Sequence, residues 1–280
     1  MAPTLVFVLV FTVLPLVESI VGSLYKHKLN IPRYQVPVFS GLTNFSDLFR
    51  DPEFLRVVTN TGFYALILIP VLLVAALGLA LLLESRIRGL PFFRLAVFHP
   101  TVLPLVSAAT IWMFLFTPGY GLWNRLLQLF GYTGPQNWTA NPSLALPAVA
   151  LVAFWKNVGF LMLFFLAGLQ NLDRSLLEAA RLDGAGGLRL LTGIILPLIR
   201  RQTLFVTTVA FIGAFQTVDH VFVLTQGGPS GMSTLPLYYL WQLRFDRMDI
   251  GRGDAVTVLL IAALLAFTVT NTLLSERHEK

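Results

Sequence analysis

Apolar residues along this chain collect in six long runs separated by polar connections. A helix needs about 20 largely apolar residues to cross a hydrocarbon core of about 30 Å. The runs that meet this length are 3–24, 57–83, 92–116, 144–169, 203–224 and 255–274, and the second holds an unbroken apolar stretch from Ala65 to Leu83. Run 3–24 lacks the basic start and small-residue cleavage site of a signal peptide. It is also too long for such a peptide's apolar core, so it reads as a membrane helix. The pattern predicts an all-α membrane protein with six transmembrane helices.

Composition agrees. Of 280 residues, 56% are hydrophobic and 12% charged, and mean hydropathy is +0.74. Soluble domains carry about 25% charged residues, so a water-exposed surface of this size would leave large apolar patches uncovered. Disorder needs the opposite balance, low hydrophobicity with high charge. The chain has no cysteine, which excludes disulfides, thiolate chemistry and cysteine-ligated metal or iron–sulfur sites. A net charge of +6 and a pI near 9.9 fit basic loops beside a bilayer better than nucleic-acid binding.

An even number of spans puts both termini on one side, but the basic residues barely say which. The second connection (Arg86, Arg88, Arg94), the fourth (Arg174, Arg181, Arg189, Arg200, Arg201) and the tail (Arg277, Lys280) supply ten. The first (Lys26, Lys28, Arg33, Arg50, Arg56), the third (Arg125) and the fifth (Arg244, Arg247, Arg252) supply nine. The positive-inside rule therefore favours internal termini only marginally. Met1 runs directly into apolar sequence, so a polar segment upstream of it is expected.

Segment 171–201 is too polar to span and too regular for a loose loop. Ser175-Leu176-Leu177-Glu178 fits a capping box that starts a short helix through Ala179, Ala180 and Leu182. Asp183-Gly184 is a turn signal, because Gly tolerates positive φ, and Gly186-Gly187 follows. A second helix carries Leu188, Leu191, Ile194 and Ile195 on an apolar face, with Pro197 expected to interrupt it. The prediction is a helix–turn–helix hairpin. Taken alone, the pattern describes equally well an amphipathic interfacial helix tying two spans together.

The spacing within this hairpin resembles a known signature. Glu178-Ala179-Ala180, Gly184, Ile194 and Leu196-Pro197 stand where the EAA motif places them, with Leu172, Leu176 and Asp183 also matching. That motif belongs to the permease subunits of binding-protein-dependent ABC importers. Thr225-Gln226-Gly227-Gly228-Pro229 resembles the T-x-G-G-P turn of the carbohydrate type. Phe116-Thr117-Pro118-Gly119-Tyr120-Gly121 resembles the same subgroup, glycerol-phosphate permeases included. The resemblance covers most of the chain.

It implies an ABC importer type I permease fold in a single transmembrane domain, 1–280. A cytoplasmic coupling segment, 171–201, would lie between helices 4 and 5. Glu178, Ala179, Ala180, Asp183 and Gly184 would dock on a separate ATPase subunit. The implied partners are a second homologous permease (a heterodimer), two ATPase copies binding ATP and Mg, and an extracytoplasmic solute-binding protein. The implied location is the bacterial inner membrane, with both termini cytoplasmic. No G-x-x-x-x-G-K-[ST] loop is present, so no cofactor or catalysis is expected in this chain.

Polar residues inside spans are costly and mark candidate substrate paths. Lys156 falls near mid-span in the fourth run, flanked by Trp155 and Asn157. It reads equally as lining a pore and as snorkelling or pairing with a partner's carboxylate. The fifth run places Ile212, Gln216 and Asp219 at i, i+4, i+7, one helical face, with Phe211, Phe215 and His220 nearby. Amides and carboxylates beside aromatic rings suit a sugar's hydroxyls and C–H faces. They also suit helix–helix association in lipid. The four histidines (His27, His99, His220, His278) are scattered, which suggests no metal site.

The leading expectation is one subunit of an ATP-driven importer for a sugar, di- or oligosaccharide in size. Glycerol 3-phosphate or a glycerophosphodiester is the alternative substrate. A proton-coupled secondary transporter would use Lys156, Asp219 and His220, but the halves show no internal repeat. A membrane enzyme lacks paired carboxylates, a metal motif or a nucleophile elbow.

Overall fold

The computed structural model describes residues 2–84 and 89–276. The expectations attached to Met1, Arg86, Arg88, Arg277, His278 and Lys280 lie outside the described residues. Helix α1 (Pro3–Gly22) passes through a π-helical turn at Leu9–Val13. A two-stranded antiparallel pair follows, β1 (Tyr25–Lys26) and β2 (Val38–Phe39), then α2 (Thr43–Arg50) and the long α3 (Pro52–Glu84). Next come α4 (Leu90–Val102), α5 (Leu105–Leu115), α6 (Leu122–Leu129) and α7 (Ala145–Gln170). The hairpin helices are α8 (Arg174–Leu182) and α9 (Gly187–Leu198). Helices α10 (Arg200–Phe215), α11 (Asp219–Leu224), α12 (Pro236–Trp241) and α13 (Ile250–Glu276) complete the chain.

Helices α3 and α7 pack along one another and form the axis of the core. The buried stripe of α3 is Tyr64, Leu68, Leu72, Ala76 and Ala80, one residue every fourth position. At Ala76 and Ala80 the small side chains allow close approach. The facing stripe of α7 includes Ala148, Val152, Ala153 and Leu161. Helix α1 is peripheral and leans on α13 at Gly22, where the Asp254 carboxylate occupies the space a side chain would need.

Among the described residues, five helices are long and apolar enough to cross a membrane, and the bent pair α4–α5, taken as one span, brings the number to six. The bend corrects the expectation of one straight helix over 92–116, because α5 leaves α4 at 101°. Pro104 explains it. Leu103 is extended (φ −63, ψ 138), as the residue before a proline prefers to be, and Pro104 has no N–H to continue the ladder.

The fifth run is also broken. Helix α10 ends at Phe215, Gln216 sits at φ −90, ψ 4, and regular helix resumes at Asp219. Ile212, Gln216 and Asp219 therefore do not share a continuous helical face.

Three local expectations in the hairpin change. Asp173, rather than Ser175, caps α8, its Oδ1 accepting from the Ser175 amide at 2.9 Å. The Ser175–Glu178 box does not form, because the helix begins two residues earlier than that box requires. Pro197 lies within α9, behind a π-helical turn at Leu191–Ile195 that widens the backbone ladder before the proline's missing donor. The chain turns instead at Ile199 (φ −94, ψ 16).

A polar cap closes one end of the bundle. Arg252 reaches Asp47 and Asp51, both at 3.5 Å, while Lys28 pairs with Asp249 at 2.6 Å and Arg247 with Glu53. Buried Asn44 donates to the Ser23 and Tyr25 carbonyls, both at 2.8 Å. These contacts bind the first connection to the start of α13.

Candidate functional site

At the opposite end stands the hairpin. Leu177, Ala180, Leu190 and Ile195 are buried in the main core and fix its inner face. Glu178, Ala179, Asp183 and Gly184 are exposed, so of the five motif residues only Ala180 points inward. Leu182 and Leu188 stand beside them 89% and 77% exposed, apolar side chains with nothing covering them.

The turn after α8 is closed by two backbone bonds, Ala185 N–H to Ala180 O at 2.9 Å and Gly184 N–H to Arg181 O at 3.1 Å. This is a Schellman arrangement, which calls for a left-handed residue at Gly184. Its φ is +82, and an added Cβ would touch nothing, so conformation rather than space demands glycine. Hydrogen bonds from Ser175 hold the Asp173 carboxyl below its usual range.

Within the spans, Lys156 is 6% exposed. Its ammonium donates to the Pro100 carbonyl at 3.1 Å, the Thr101 carbonyl at 3.2 Å and the Leu103 carbonyl. Three donors meet three acceptors. Those acceptors are carbonyls at the end of α4, where the helical ladder runs out of donors; that of Pro100 is shared with the Leu103 amide at 3.3 Å. Thr101 returns a bond from its hydroxyl to the Lys156 carbonyl at 3.0 Å. Bonds to a charged group contribute about 1.5–3 kcal/mol each, against about 2.5–3.5 kcal/mol for placing a lysine at a helix centre in lipid. The bonds outweigh the cost. One turn along α7, Gly159 lets the Val97 and Phe98 backbone pass directly over it.

The remaining candidates fall into separate places. Trp155 packs edge-on against Trp112 at 5.8 Å. Asn157 donates to its own helix at Ala153 O, 2.8 Å away, and lines a cavity of about 130 Å³ with Phe160, Gly213 and Thr217. Phe211 stacks on Phe267 of α13 at 3.6 Å, and Phe215 lies 4.5 Å from Phe211. Phe215 also faces an apolar recess of about 340 Å³ with Phe54, Pro236 and Leu260. Gln216 is exposed at the helix break, and Asp219 is half-buried at the start of α11. Asn157 and Thr217 come together; Phe211 and Phe215 turn toward α13.

Several residues that organise these places were not singled out by the sequence. Tyr64 OH and Thr217 Oγ1 share a buried hydrogen bond of 3.3 Å across the break in the fifth span. Asn60 donates to the carbonyls of Gly231 at 2.9 Å and Thr234 at 3.1 Å, and Arg56 to that of Ser230, tying loop 225–234 to α3. Gly159, in register with Lys156, and the paired prolines of His99-Pro100-Thr101-Val102-Leu103-Pro104 were the available signals for the α4–α7 contact.

A multi-pass helical bundle with two broken spans and a surface hairpin defines a membrane permease subunit. The chain belongs to the family of binding-protein-dependent transport system inner membrane components, whose pattern matches residues 38–277. It is 33% identical over 273 residues to the sulfoquinovosyl glycerol transport system permease protein SmoG of Agrobacterium fabrum, covering 96% of this chain and 86% of that one. It is 34% identical over 242 residues to the sn-glycerol-3-phosphate transport system permease protein UgpA of Yersinia enterocolitica, covering 85% and 81%. In fold it is similar to a chain of a bacterial alginate ABC transporter solved with its alginate pentasaccharide-bound periplasmic protein. That match has a TM-score of 0.83 at 20% identity and covers 100% of this chain and 93% of that one. Membership of this family replaces the proton-coupled alternative. The protein is a multi-pass inner membrane permease subunit.

Proposed function

We propose that this chain forms, with a second homologous permease, the translocation path for a carbohydrate delivered by an extracytoplasmic binding protein. Two copies of a separate ATPase subunit, holding ATP and Mg, would drive the cycle, and this chain would carry no catalysis or cofactor of its own. The observation that carries the reading is the hairpin. Its inner face is locked into the bundle, while Glu178, Ala179, Asp183, Gly184, Leu182 and Leu188 are presented outward on a rigid, capped turn. A stiff element of this kind transmits a push from a docked partner into α7 and α10, which flank it. Docking there makes the hairpin end cytoplasmic, and with it both termini.

Gln216 and Asn157 are the leading proposed path residues, with Trp155, Phe211, Phe215 and Asp219 as further candidates in separate places of the bundle. Lys156, its ammonium occupied by three carbonyls, serves the path by position. Exposed Gln216 and the Asn157–Thr217 cavity are the best placed of these to meet a polyhydroxylated solute. A sugar of di- or oligosaccharide size is the preferred substrate. Glycerol 3-phosphate or a glycerophosphodiester is the second reading, favoured by the 34% identity to UgpA. The test is a thermal-shift screen of the co-purifying binding protein against sugars and glycerophosphates. Stabilisation by a sugar alone supports the first reading, and by a glycerophosphate alone the second. Purification without any ATPase or second permease would contradict both.

A further inference from the structure

We propose that Lys156 is a positioning residue for transport, the latch of a joint about which α5 and α11 swing together. The inference rests on the importer reading for its cycle but on separate geometry for its parts. Helices α5 and α11 each follow a break in a span, at 102–105 and at 215–219, and they pack on one another. Val221 and Leu224 of α11 are buried, as are Ala108, Ala109 and Trp112 of α5, so the two segments share an apolar interface. A packed pair with a break on each side moves as a body more readily than it deforms internally.

The α5–α11 pair also packs on α7, Trp112 against Trp155 included, and the breaks themselves are tied to the α3–α7 axis by a few polar contacts. At the α5 joint, the Lys156 ammonium bridges both sides, because Pro100 and Thr101 belong to the last turn of α4 while Leu103 lies in the link to α5. Any swing of α5 carries the Leu103 carbonyl away and leaves one ammonium donor and one carbonyl unpaired in a buried place. At the α11 joint, Thr217 is held by Tyr64 of α3. Beyond α11, loop 225–234 is fixed to α3 through Arg56 and Asn60. The α5–α11 body is thus hinged at identifiable points, and the latch is a charge whose bonds exist only in the arrangement seen.

The chain has no cysteine, so introduced pairs are the only labelling sites in this subunit, and the partner subunits are used in cysteine-free form. Phe114 on α5, Phe222 on α11 and Phe160 on α7 are exposed. Distances are measured in the complete reconstituted transporter, at rest and with ATP trapped, for Phe114→Cys/Phe222→Cys and for Phe114→Cys/Phe160→Cys. The first pair is expected to keep one distance in both states, and the second to shift. Lys156→Met at rest is expected to populate the shifted distance and to lower kcat of uptake with little change in KM, and Lys156→Arg to return both toward wild type. A second pair that never shifts, or a Lys156→Met distribution identical to wild type, overturns the latch. Should Lys156→Met fail to assemble, Thr101→Val, which removes only the returning hydroxyl bond, carries the same comparison with a smaller shift. The resting comparison needs no ATP, so it decides the latch even if wild-type vesicles show no ATP-driven uptake, a result that would sink the importer reading instead.

Discussion

Val97 and Gly159 meet backbone to backbone, the Val97 carbonyl filling the space where a side chain on Gly159 would stand. This contact sets how closely α4 lies on α7, and it is one helical turn from the Lys156 bonds. Gly159→Ala is expected to force the helices apart at a cost of about 1–3 kcal/mol, the usual penalty for overpacking. Gly62 has nothing near its absent Cβ, so Gly62→Ala is expected to stay within about 1 kcal/mol of wild type. Thermal unfolding of the two variants in detergent checks the difference.

Gly184 separates backbone need from docking. Gly184→Asn, which tolerates the left-handed region, is expected to preserve ATPase association. Gly184→Ala is expected to cost about 1–2 kcal/mol at the turn. Gly184→Asp is expected to abolish transport while membrane insertion continues, because it adds a charge to the outward face of the hairpin. Co-purification yield and uptake, measured side by side, distinguish the three.

Leu182 makes the outward face apolar. Leu182→Glu is expected to weaken ATPase binding by about 2 kcal/mol, or about thirtyfold, as for an interface anchor. Melting of the isolated chain should hardly move, since the side chain is 89% exposed. Affinity by titration with the ATPase subunit is the check.

The start of α8 should respond to acid. Asp173 has its carboxyl lowered by the Ser175 bonds. A depressed pKa means that the cap is fully present above the unfolded value and is lost as pH falls through the lower folded value. Hydrogen exchange at the Ser175 amide is therefore expected to accelerate only on strong acidification in the wild type. In Asp173→Asn it should be independent of pH once the intrinsic acid- and base-catalysed rates are corrected, because Asn caps without titrating.

Much of this molecule could be read from its apolar runs, since length against bilayer thickness leaves few choices. The breaks could not. A proline pair such as Pro100 and Pro104 announces trouble in a helix, but a 101° turn depends on what receives the freed carbonyls, and Lys156 lies more than fifty residues away. The Lys156 charge suggested a pore or a distant carboxylate because sequence shows the cost of a buried ammonium and not its acceptors. The near-even charge division has a similar cause. Lys26, Lys28, Arg244, Arg247 and Arg252 are held in ion pairs with Asp47, Asp249, Asp254, Glu53 and Asp51, contacts that build the polar cap. The hairpin was legible in outline because its glycine, acid and apolar positions act locally, whereas its cap at Asp173 fell outside the box the spacing suggested.

ATP-dependent uptake by the complete transporter tests the central claim most directly. The chain, its co-purifying partners and the solute-loaded binding protein are reconstituted in vesicles and supplied with ATP or an uncoupler. The expected result is solute entry that requires ATP and is indifferent to the uncoupler. Entry without ATP that collapses with the proton gradient would contradict it.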